Sequence, residues 1–503
     1  MTIVLPHGVL FRGGEEGGIR KNLIEQNHID TIIGLPSNIF FGTGIPTIIM
    51  VLKKKRTVND VLIIDASKGF NKVGKNNVLR ASDIKKVADT VINREGVFKF
   101  SKVVSQEEIR QTEYNLNIPR YVDSSASTEN WDIYASLFGG IPKDELDGFA
   151  DYWNTFKGLQ KKLFSQDGTP YSALAVSDRE IENVINEHKS VIEWKTQYNN
   201  IFSDFKKFLH DELITNMMTL NISKEESMLS GEIFKRLETI ALVDKYNAYQ
   251  LLNDEWIKTA VDLEILQTEG FEAAKKVDPN MVLKKKNGKE SEVQDGYIGH
   301  VIPFELVQST ILKEEACALK QKEESLAKVQ SGYEEIIDSL SQEEKDFGAS
   351  PETESELKQL LKEEKELNAQ IKKDFEALHL QTKITIENLT DAQVYELLEL
   401  KWIVPLTASL QTIVGSIIAD FVADLRTLVE KYAATYSSVA TQIAQTKTSL
   451  AAMIDDLSGN EYDMKGLNEF KELLKTPLFG CAKVQFKMAD DFNEPLDDFK
   501  EYM

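Results

Sequence analysis

Apolar positions in the first 65 residues recur as short runs that predict β-strands. Such runs occupy residues 2–5, 29–35, 45–52 and 61–65, and stretches containing Gly, Pro, Ser, Asn or Lys separate them. Runs of Ile and Val that are apolar on both faces suit the interior of a sheet covered by helices. Glycines at four nearby positions predict a loop ahead of an amphipathic stretch at residues 19–25; these are Gly13, Gly14, Gly17 and Gly18. The pattern predicts α/β character.

The α/β segment, residues 1–123, carries too few elements to complete a doubly wound fold. One helix is predicted over residues 81–94, and an extended connector over residues 114–123, because Pro119 disfavours helix at Ile118. Three or four strands with one or two helices cannot cover both faces of such a sheet. We therefore expect residues 1–123 to form only part of a sheet.

Beyond residue 124 the pattern is almost entirely helical, and we expect no strand before about residue 480. A helical domain is predicted over residues 124–310, with a Lys-rich loop at residues 284–289. Two heptad registers follow: Leu312, Leu319, Leu326, Tyr333 and Leu340, then Leu357, Leu360, Leu367, Ile371 and Leu378. Because Gly348 and Pro351 separate them, residues 311–380 predict an antiparallel coiled-coil hairpin that projects as an arm.

The last predicted parts are a helical region at residues 381–475 and an acidic tail at residues 476–503. Thr390 and Gln393 have the spacing of a capping box that opens a helix, and Pro405 is expected to kink or interrupt it. By content the fold class is α+β and mostly α.

Charge is distributed unevenly along the chain. The formal net charge is −22, but residues 1–123 hold 18 Lys+Arg against 13 Asp+Glu, a net of +5, which leaves −27 for the remainder. Only the first segment can face phosphates, because the acidic remainder repels a duplex unless it faces away or meets a basic partner. An acidic surface that only confers solubility is the alternative.

The motifs of several common enzyme classes are absent from the sequence. It contains no G-x-G-x-x-G or Walker loop after a strand, no G-x-S-x-G, no H-E-x-x-H and no C-x-x-C. Two distant cysteines and six histidines without ligand spacing favour reducing cytoplasm and no structural metal. The longest near-continuous apolar run, residues 45–52, is too short to span a bilayer, and the N-terminus lacks the pattern of a secretion signal. No catalytic, cofactor-binding or metal-binding residue is assigned from these patterns.

One loop reads as a candidate site. It follows the run at residues 29–35 and contains adjacent aromatics beside glycines, namely Phe40, Phe41, Gly42 and Gly44. Glycine lets the backbone approach a ligand closely, and the rings can offer a flat π-face to a base or another planar ligand. On pattern alone the alternative is that Phe40 and Phe41 are core residues under a turn.

Several segments resemble the modification subunit of type I restriction-modification systems. In the first part these are residues 3–12 (IVLPHGVLFR), 19–21, 32–36, 40–47 (FFGTGIPT), 115–117 and 120–123. The similarity continues, as in the long-form subunits, through residues 139–142, 249–251 and 389–390, with Tyr246, Trp256 and Lys401-Trp402. It covers roughly residues 1–455.

The resemblance implies an adenine-N6 DNA methyltransferase family that uses S-adenosylmethionine. It implies that residues 1–123 are the C-terminal half of a Rossmann-like methyltransferase sheet. Phe40 would occupy the position of the aromatic that stacks on the flipped adenine, with Phe41, Gly42 and Gly44 beside it, since an extruded base needs a replacement π-surface. The implied partners are DNA and, through the helical part, the specificity and restriction subunits of a type I complex.

The chain also departs from that family. Members carry a Gly-containing cofactor motif and an Asn-Pro-Pro-aromatic motif upstream, and neither occurs in this sequence. We therefore expect the C-terminal part of such a subunit, from a split gene or a truncated start, that binds no cofactor alone and needs a separate N-terminal methyltransferase fragment. The alternatives are a non-catalytic DNA-associated scaffold and, less compatible with the α/β motifs, a free-standing coiled-coil protein.

The tail carries a second, weaker resemblance. Residues 479–503 are similar to the C-terminal segment of small bacterial antitoxin-like proteins. The alternative is an acidic, partly disordered end.

Overall fold

The computed structural model describes residues 1–42, 44–124, 130–165, 168–286, 289–340 and 350–475. These residues divide into two compact units. The first lies within Met1–Ser127 and Lys189–Ala419, and the second within Thr128–His188 and Asp420–Met503. The predicted acidic tail, residues 476–503, lies outside the described residues, as do residues 341–349 between the two heptad registers.

The α/β segment is built on a mixed sheet of five strands. The strands of the described residues are β1 Thr2–Pro6, β2 Ile29–Gly34, β3 Thr47–Leu52, β4 Asp60–Asp65, β5 Asn71–Val73, β6 Asn76–Val78, β7 Ser101–Ser105, β8 Ile141–Pro142, β9 Tyr171–Ser172, β10 Val277–Lys286 and β11 Lys289–Gly299. The five-stranded sheet has the order β1-β3-β2-β4-β7. Only β2 and β4 run parallel, and the other neighbouring pairs are antiparallel. The four strands predicted in the first 65 residues are confirmed.

Helices make up most of the described residues. Their bounds are α1 Gly14–Glu25, α2 Ala81–Asn93, α3 Gln106–Gln111, α4 Ile133–Phe138, α5 Lys143–Asp147, α6 Ala150–Thr155, α7 Leu159–Leu163, α8 Ile181–Asn186, α9 Lys189–Ile201, α10 Phe205–Leu209, α11 Ile222–Leu237, α12 Lys245–Glu269, α13 Phe304–Thr310, α14 Lys313–Ser339, α15 Pro351–Glu387, α16 Asp391–Lys431, α17 Tyr436–Asp455 and α18 Glu461–Lys475. A mostly helical α+β fold with one mixed sheet is therefore confirmed.

Apolar side chains lie on both faces of the sheet. Ile32 and Ile63 belong to one buried cluster, which contains Ile24 of α1. Ile33 and Ile64, their neighbours along the strands, belong to a second cluster, against which Val87 and Val91 of α2 pack. Successive side chains of a strand point to opposite faces, so α1 and α2 pack against opposite faces of the sheet. The prediction of strands that are apolar on both faces is confirmed.

Two local predictions in the α/β segment are wrong. The glycines expected in a loop fall in or next to α1, which begins at Gly14 with Gly13 as N-cap. Glu15 and Glu16 occupy its first turn, where negative charge is favourable to a helix. The connector expected to be extended contains a 3-10 turn, Ile118–Arg120, because its apolar residues bury under the sheet.

The hairpin β10–β11 contradicts the prediction that no strand occurs before residue 480 and that residues 284–289 form a loop. The strands pair from Val277 opposite Gly299 to Lys286 opposite Lys289. Their sequence is too polar to show strand alternation. Side-chain contacts hold the hairpin instead: the Tyr297 N–H donates to Nε2 of His379 at 2.8 Å, and His300 Nδ1 lies 2.5 Å from Asp278 Oδ2. Tertiary contacts therefore stabilise strands that local pattern does not indicate.

Helices α14 and α15 pack antiparallel to each other. Lys322 Nζ lies 2.5 Å from Asp374 Oδ2, and Gln330 Nε2 donates to Glu364 Oε1 at 2.8 Å. The residue later in α14 therefore contacts the residue earlier in α15, as expected for antiparallel helices. The supercoil and the projection expected from the heptads stay predictions.

The predicted capping box opens α16. The Thr390 N–H donates to Gln393 Oε1 at 3.0 Å, and the Gln393 N–H donates to Thr390 Oγ1 at 3.3 Å. The helix continues through Pro405, so Pro405 does not interrupt it, and the kink given as the other possibility stays a prediction.

Within the described residues, α16 alone is long and apolar enough to cross a membrane, with a window of mean hydropathy 1.6. That test uses length and composition only, and a core helix passes it as well. Trp402, Leu406 and Leu410 are buried, which accounts for the apolar composition of the helix in the part that belongs to the first unit.

Candidate functional site

The predicted site loop leaves the sheet where two parallel strands end together. Gly34, the last residue of β2, lies opposite Asp65, the last residue of β4. The loop runs over residues 35–46, and the Leu35 N–H closes it by donating to the Thr47 carbonyl at 2.9 Å. The carboxyl ends of parallel strands are the usual place for ligand sites in α/β sheets. The loop therefore lies at the edge of the sheet where chemistry is expected.

The aromatic side chains of the loop are exposed to different extents. Phe41 is 91% exposed and Phe40 is 41% exposed, whereas the preceding Ile39 packs against the core. Gly42 has φ +81°, in the left-handed region that favours glycine. Neither ring is buried in the core, so both have free surface for a planar ligand. Their role in stacking stays a prediction, and Thr43 lies outside the described residues.

Two asparagines hold the loop, and sequence reasoning did not single them out. Asn77 of β6 is buried, its N–H donates to the Asn38 carbonyl at 2.9 Å and its Nδ2 donates to the Ser37 carbonyl at 2.7 Å. Asn38 itself has φ +52°. A Cβ on Gly44 would lie 3.1 Å from Asn38 Oδ1, so the loop backbone passes close to that side chain. Asn is tolerant of left-handed backbone, which is the signal that points to Asn38.

Polar residues at two other strand ends complete this edge, and they too were missed. His7 follows β1, and its N–H donates to the Pro46 carbonyl at 3.1 Å. Burial lowers the pKa of His7, and the nearby Asp65 carboxylate offsets part of that effect. Asp65 is buried and accepts from the Ser67 N–H at 3.0 Å and from the Ser124 hydroxyl. A polar residue directly after an apolar strand run is the sequence signal for both.

The expectation that this chain alone holds no adenosyl-cofactor site stays a prediction. Such a site combines a Gly-rich turn with an acidic side chain that holds the ribose at the end of a following strand. After the glycines of α1, the next strand ends at Gly34 and Leu35, neither of them acidic. Asp65, at the end of β4, already accepts the two hydrogen bonds given above. In the described part of the chain, no group of three or more potential metal ligands occurs.

Comparison with known proteins finds one family model that matches the α/β segment. Residues 1–130 match the model of the family described as N-6 DNA methylase. This segment is therefore similar to N-6 DNA methylases. The resemblance to type I modification subunits is confirmed over these residues, whereas its extension to about residue 455 stays a prediction.

Curated proteins that are similar to this part of the chain are methylase subunits of type I restriction enzymes. The MpnII methylase subunit of Mycoplasma pneumoniae is 42% identical over 133 residues, which cover 26% of this chain and 24% of the relative. The MjaVII methylase subunit of Methanocaldococcus jannaschii is 40% identical over 165 residues, which cover 31% of this chain and 29% of the relative. The match thus spans about a quarter to a third of each relative's length.

A solved structure gives a similar result. The type I restriction-modification methyltransferase subunit from Streptococcus thermophilus is 55% identical over a match that covers 25% of this chain and 26% of that one, with a TM-score of 0.25.

Proposed function

We propose that this chain is part of the modification subunit of a type I restriction-modification system, which methylates adenine at N6 in DNA. The observation that carries the proposal is the methylase match over residues 1–130. Two features support it: the exposed rings of Phe40 and Phe41 lie at the carboxyl edge of β2, and residues 1–123 have a net charge of +5. DNA is the substrate in this proposal, and the cytoplasm is where the chain acts.

In this proposal Phe40 stacks on the extruded adenine. An extruded base loses its neighbours in the duplex, and an aromatic side chain restores part of the lost stacking energy. Phe40 is 41% exposed, so the protein covers part of the side chain and solvent reaches the rest. Partial burial suits a ring that must keep its orientation and still contact a ligand. Phe41, Gly42 and Gly44 lie beside Phe40 in the loop, and the two glycines add no side chain that could obstruct the base.

The chain does not complete the reaction by itself in this proposal. S-adenosylmethionine donates the methyl group in the family, and the residues at the site edge do not match a site for it. The amino group of adenine is a weak nucleophile, because its lone pair is delocalised into the ring, and this sequence lacks the Asn-Pro-Pro-aromatic motif that positions it. A separate N-terminal methyltransferase fragment supplies both parts, and the specificity and restriction subunits complete the assembly.

Methyl transfer on mixing tests the proposal. The full chain is combined with an N-terminal fragment of a type I methylase subunit that carries the cofactor and Asn-Pro-Pro-aromatic motifs, and transfer of labelled methyl groups to duplex DNA is measured. We expect activity on mixing and none from either part alone. DNA binding by the mixture without methyl transfer would favour the second candidate, a non-catalytic DNA-associated scaffold or split-gene partner.

A further inference from the structure

The small hairpin β5–β6 is an exposed basic element. Asn71 pairs with Val78 and Lys72 with Asn77, and Gly74 makes the turn with φ +61°. Residues 66–79 contain three lysines, Lys68, Lys72 and Lys75, and no acidic residue. All three lysines are exposed, and none forms an ion pair with a described residue. The hairpin thus presents uncompensated positive charge.

Some other lysines of the α/β segment form ion pairs, whereas Lys54 and Lys55, at the opposite end of β2, form none with a described residue. Lys85 Nζ lies 2.5 Å from Asp89 Oδ1, and Lys102 Nζ lies 2.7 Å from Glu108 Oε1. In such ion pairs the neighbouring carboxylate neutralises the positive charge of the lysine locally. The hairpin differs from Lys54 and Lys55 in its position, because its unpaired lysines lie beside the candidate site loop.

The hairpin is attached directly to the candidate site loop. The two hydrogen bonds from Asn77 reach the carbonyls of Asn38 and Ser37, and Lys72 is the register partner of Asn77 on the neighbouring strand. Strands of three residues have little core of their own, so these bonds help to fix the hairpin. Positive charge and the exposed rings of Phe40 and Phe41 are therefore parts of one connected structure.

We propose that the β5–β6 hairpin binds backbone phosphates of DNA next to the extruded base that contacts the site loop. Lys72 and Lys75 make these contacts, together with Lys68, which precedes β5 in the chain. The inference rests on the proposed function, because DNA is the ligand in both. Sites that take up a nucleotide out of its stack combine an aromatic surface with cations that follow the backbone. An acidic protein would match the lysines as well, but it would leave the exposed aromatic rings without a function.

The test compares two pairs of lysines in the full chain. K72Q/K75Q removes the charge from the hairpin. K54Q/K55Q is the matched control, because these lysines are also exposed and unpaired among the described residues, and they follow Lys53, whose N–H donates to the His28 carbonyl at the opposite end of β2. Binding to a fluorescent duplex is titrated by anisotropy at several salt concentrations.

Each phosphate contact contributes about 0.9 to the slope of log K against log salt for duplex DNA. We expect K72Q/K75Q to reduce the slope by about 2, so that its affinity deficit narrows roughly tenfold between about 50 and 200 mM salt. We expect K54Q/K55Q to keep the wild-type slope and K72R/K75R to restore it.

Three outcomes contradict the inference. Equal slopes of log K against log salt for K72Q/K75Q and K54Q/K55Q would mean that the hairpin does not contact the DNA backbone. Methyl transfer by the mixture would in that case still support the proposed function. Equal competition by polyglutamate and by DNA, at the same charge concentration, would assign the hairpin to an acidic protein partner. Absence of DNA binding by the wild-type chain would overturn the inference, and absence of methyl transfer on mixing would separately overturn the catalytic proposal.

Discussion

At the scale of single residues, Phe40 and Phe41 differ in how much of each ring reaches solvent. Phe41 is almost fully exposed, whereas Phe40 has 41% of its surface open. Base–aromatic stacking contributes about 1–3 kcal/mol per base. In the reconstituted enzyme we expect Phe40→Ala to weaken binding of DNA with an extruded target by that amount and to reduce methylation.

The control for Phe40→Ala is Phe375→Ala, which removes an exposed ring from α15. Both variants are assayed for methyl transfer and for affinity to a duplex with a mismatched target adenine. Unchanged values for Phe40→Ala would mean that the ring serves the loop and not the base. Loss of binding to every duplex, matched or mismatched, would also argue against a specific stacking role.

Glu225 carries the clearest pH-dependent cost in the helical part. This carboxyl is buried on α11, and its Oε1 has no hydrogen-bond partner among the residues that the structure describes. Burial raises the pKa of Glu225, and Glu212 adds to the shift by charge repulsion. Because the folded-state pKa lies above the unfolded-state value, the carboxyl costs stability at pH above its folded pKa and not below the unfolded one.

We therefore expect Glu225→Gln to stabilise the chain at neutral pH by on the order of 1 kcal/mol, with the gain vanishing as the pH falls to about 4. Thermal unfolding at a series of pH values measures the effect. Glu238→Gln, at an exposed position of the same region, is expected to change nothing at either pH. A gain for Glu225→Gln that does not depend on pH would show that ionisation is not its cause.

At the scale of elements, Arg20 ties α1 to the connector that follows α3. The side chain is buried, its Nε donates to the Tyr114 carbonyl at 2.6 Å, and its Nη1 donates to the Val9 carbonyl at 2.7 Å. Arg20→Ala removes this donor from both partly buried carbonyls. Hydrogen bonds to charged groups are worth about 1.5–3 kcal/mol each, so we expect a loss on the order of 3 kcal/mol.

Hydrogen exchange measures this loss best, because a chain with two compact units need not unfold in one step. Amides of α1 and of residues 114–122 are expected to exchange faster in Arg20→Ala. Arg12→Ala is the control, since the Arg12 side chain is 63% exposed and its ion pair with a described residue is the one to Glu16, at 3.8 Å. Equal exchange in the two variants would mean that the core cluster alone holds α1 in place.

The strand positions of the first 65 residues could be predicted because burial on both faces of β2 and β4 imposes continuous apolar runs. The cap at Thr390 could be predicted because its geometry is local. The hairpin β10–β11 could not, since its stability depends on His379 and Glu269, which are distant in sequence. The same holds for Asn77, which contacts a loop 39 residues earlier through its N–H to the Asn38 carbonyl, a relation that no local pattern reveals.

At the scale of the whole molecule, β1 is one of the two edge strands of the sheet, and Val4 on it is 51% exposed. An open strand edge with apolar side chains is a surface on which another strand can pair. In the proposed assembly we expect the N-terminal methyltransferase fragment to pair with that edge. Pairing there would bring its cofactor and catalytic residues to the carboxyl edge, where His7 and the Phe40 loop already meet at Pro46.

The last prediction concerns the cofactor. We expect the isolated chain not to bind S-adenosylmethionine, because β2, the strand that follows the glycines of α1, ends without an acidic residue that could hold the ribose. Calorimetric titration of the chain alone, of the N-terminal fragment alone and of the mixture measures this. We expect no heat of binding for the chain, and tighter binding by the mixture than by the fragment if the sheet completes the site. Micromolar binding by the lone chain would contradict the prediction, since it would require a cofactor site built from residues other than those at the carboxyl edge. Identical cofactor affinities for the fragment and the mixture would instead mean that the sheet contributes to DNA binding and not to cofactor binding. The salt dependence of DNA binding would then be the measurement that reports its contribution.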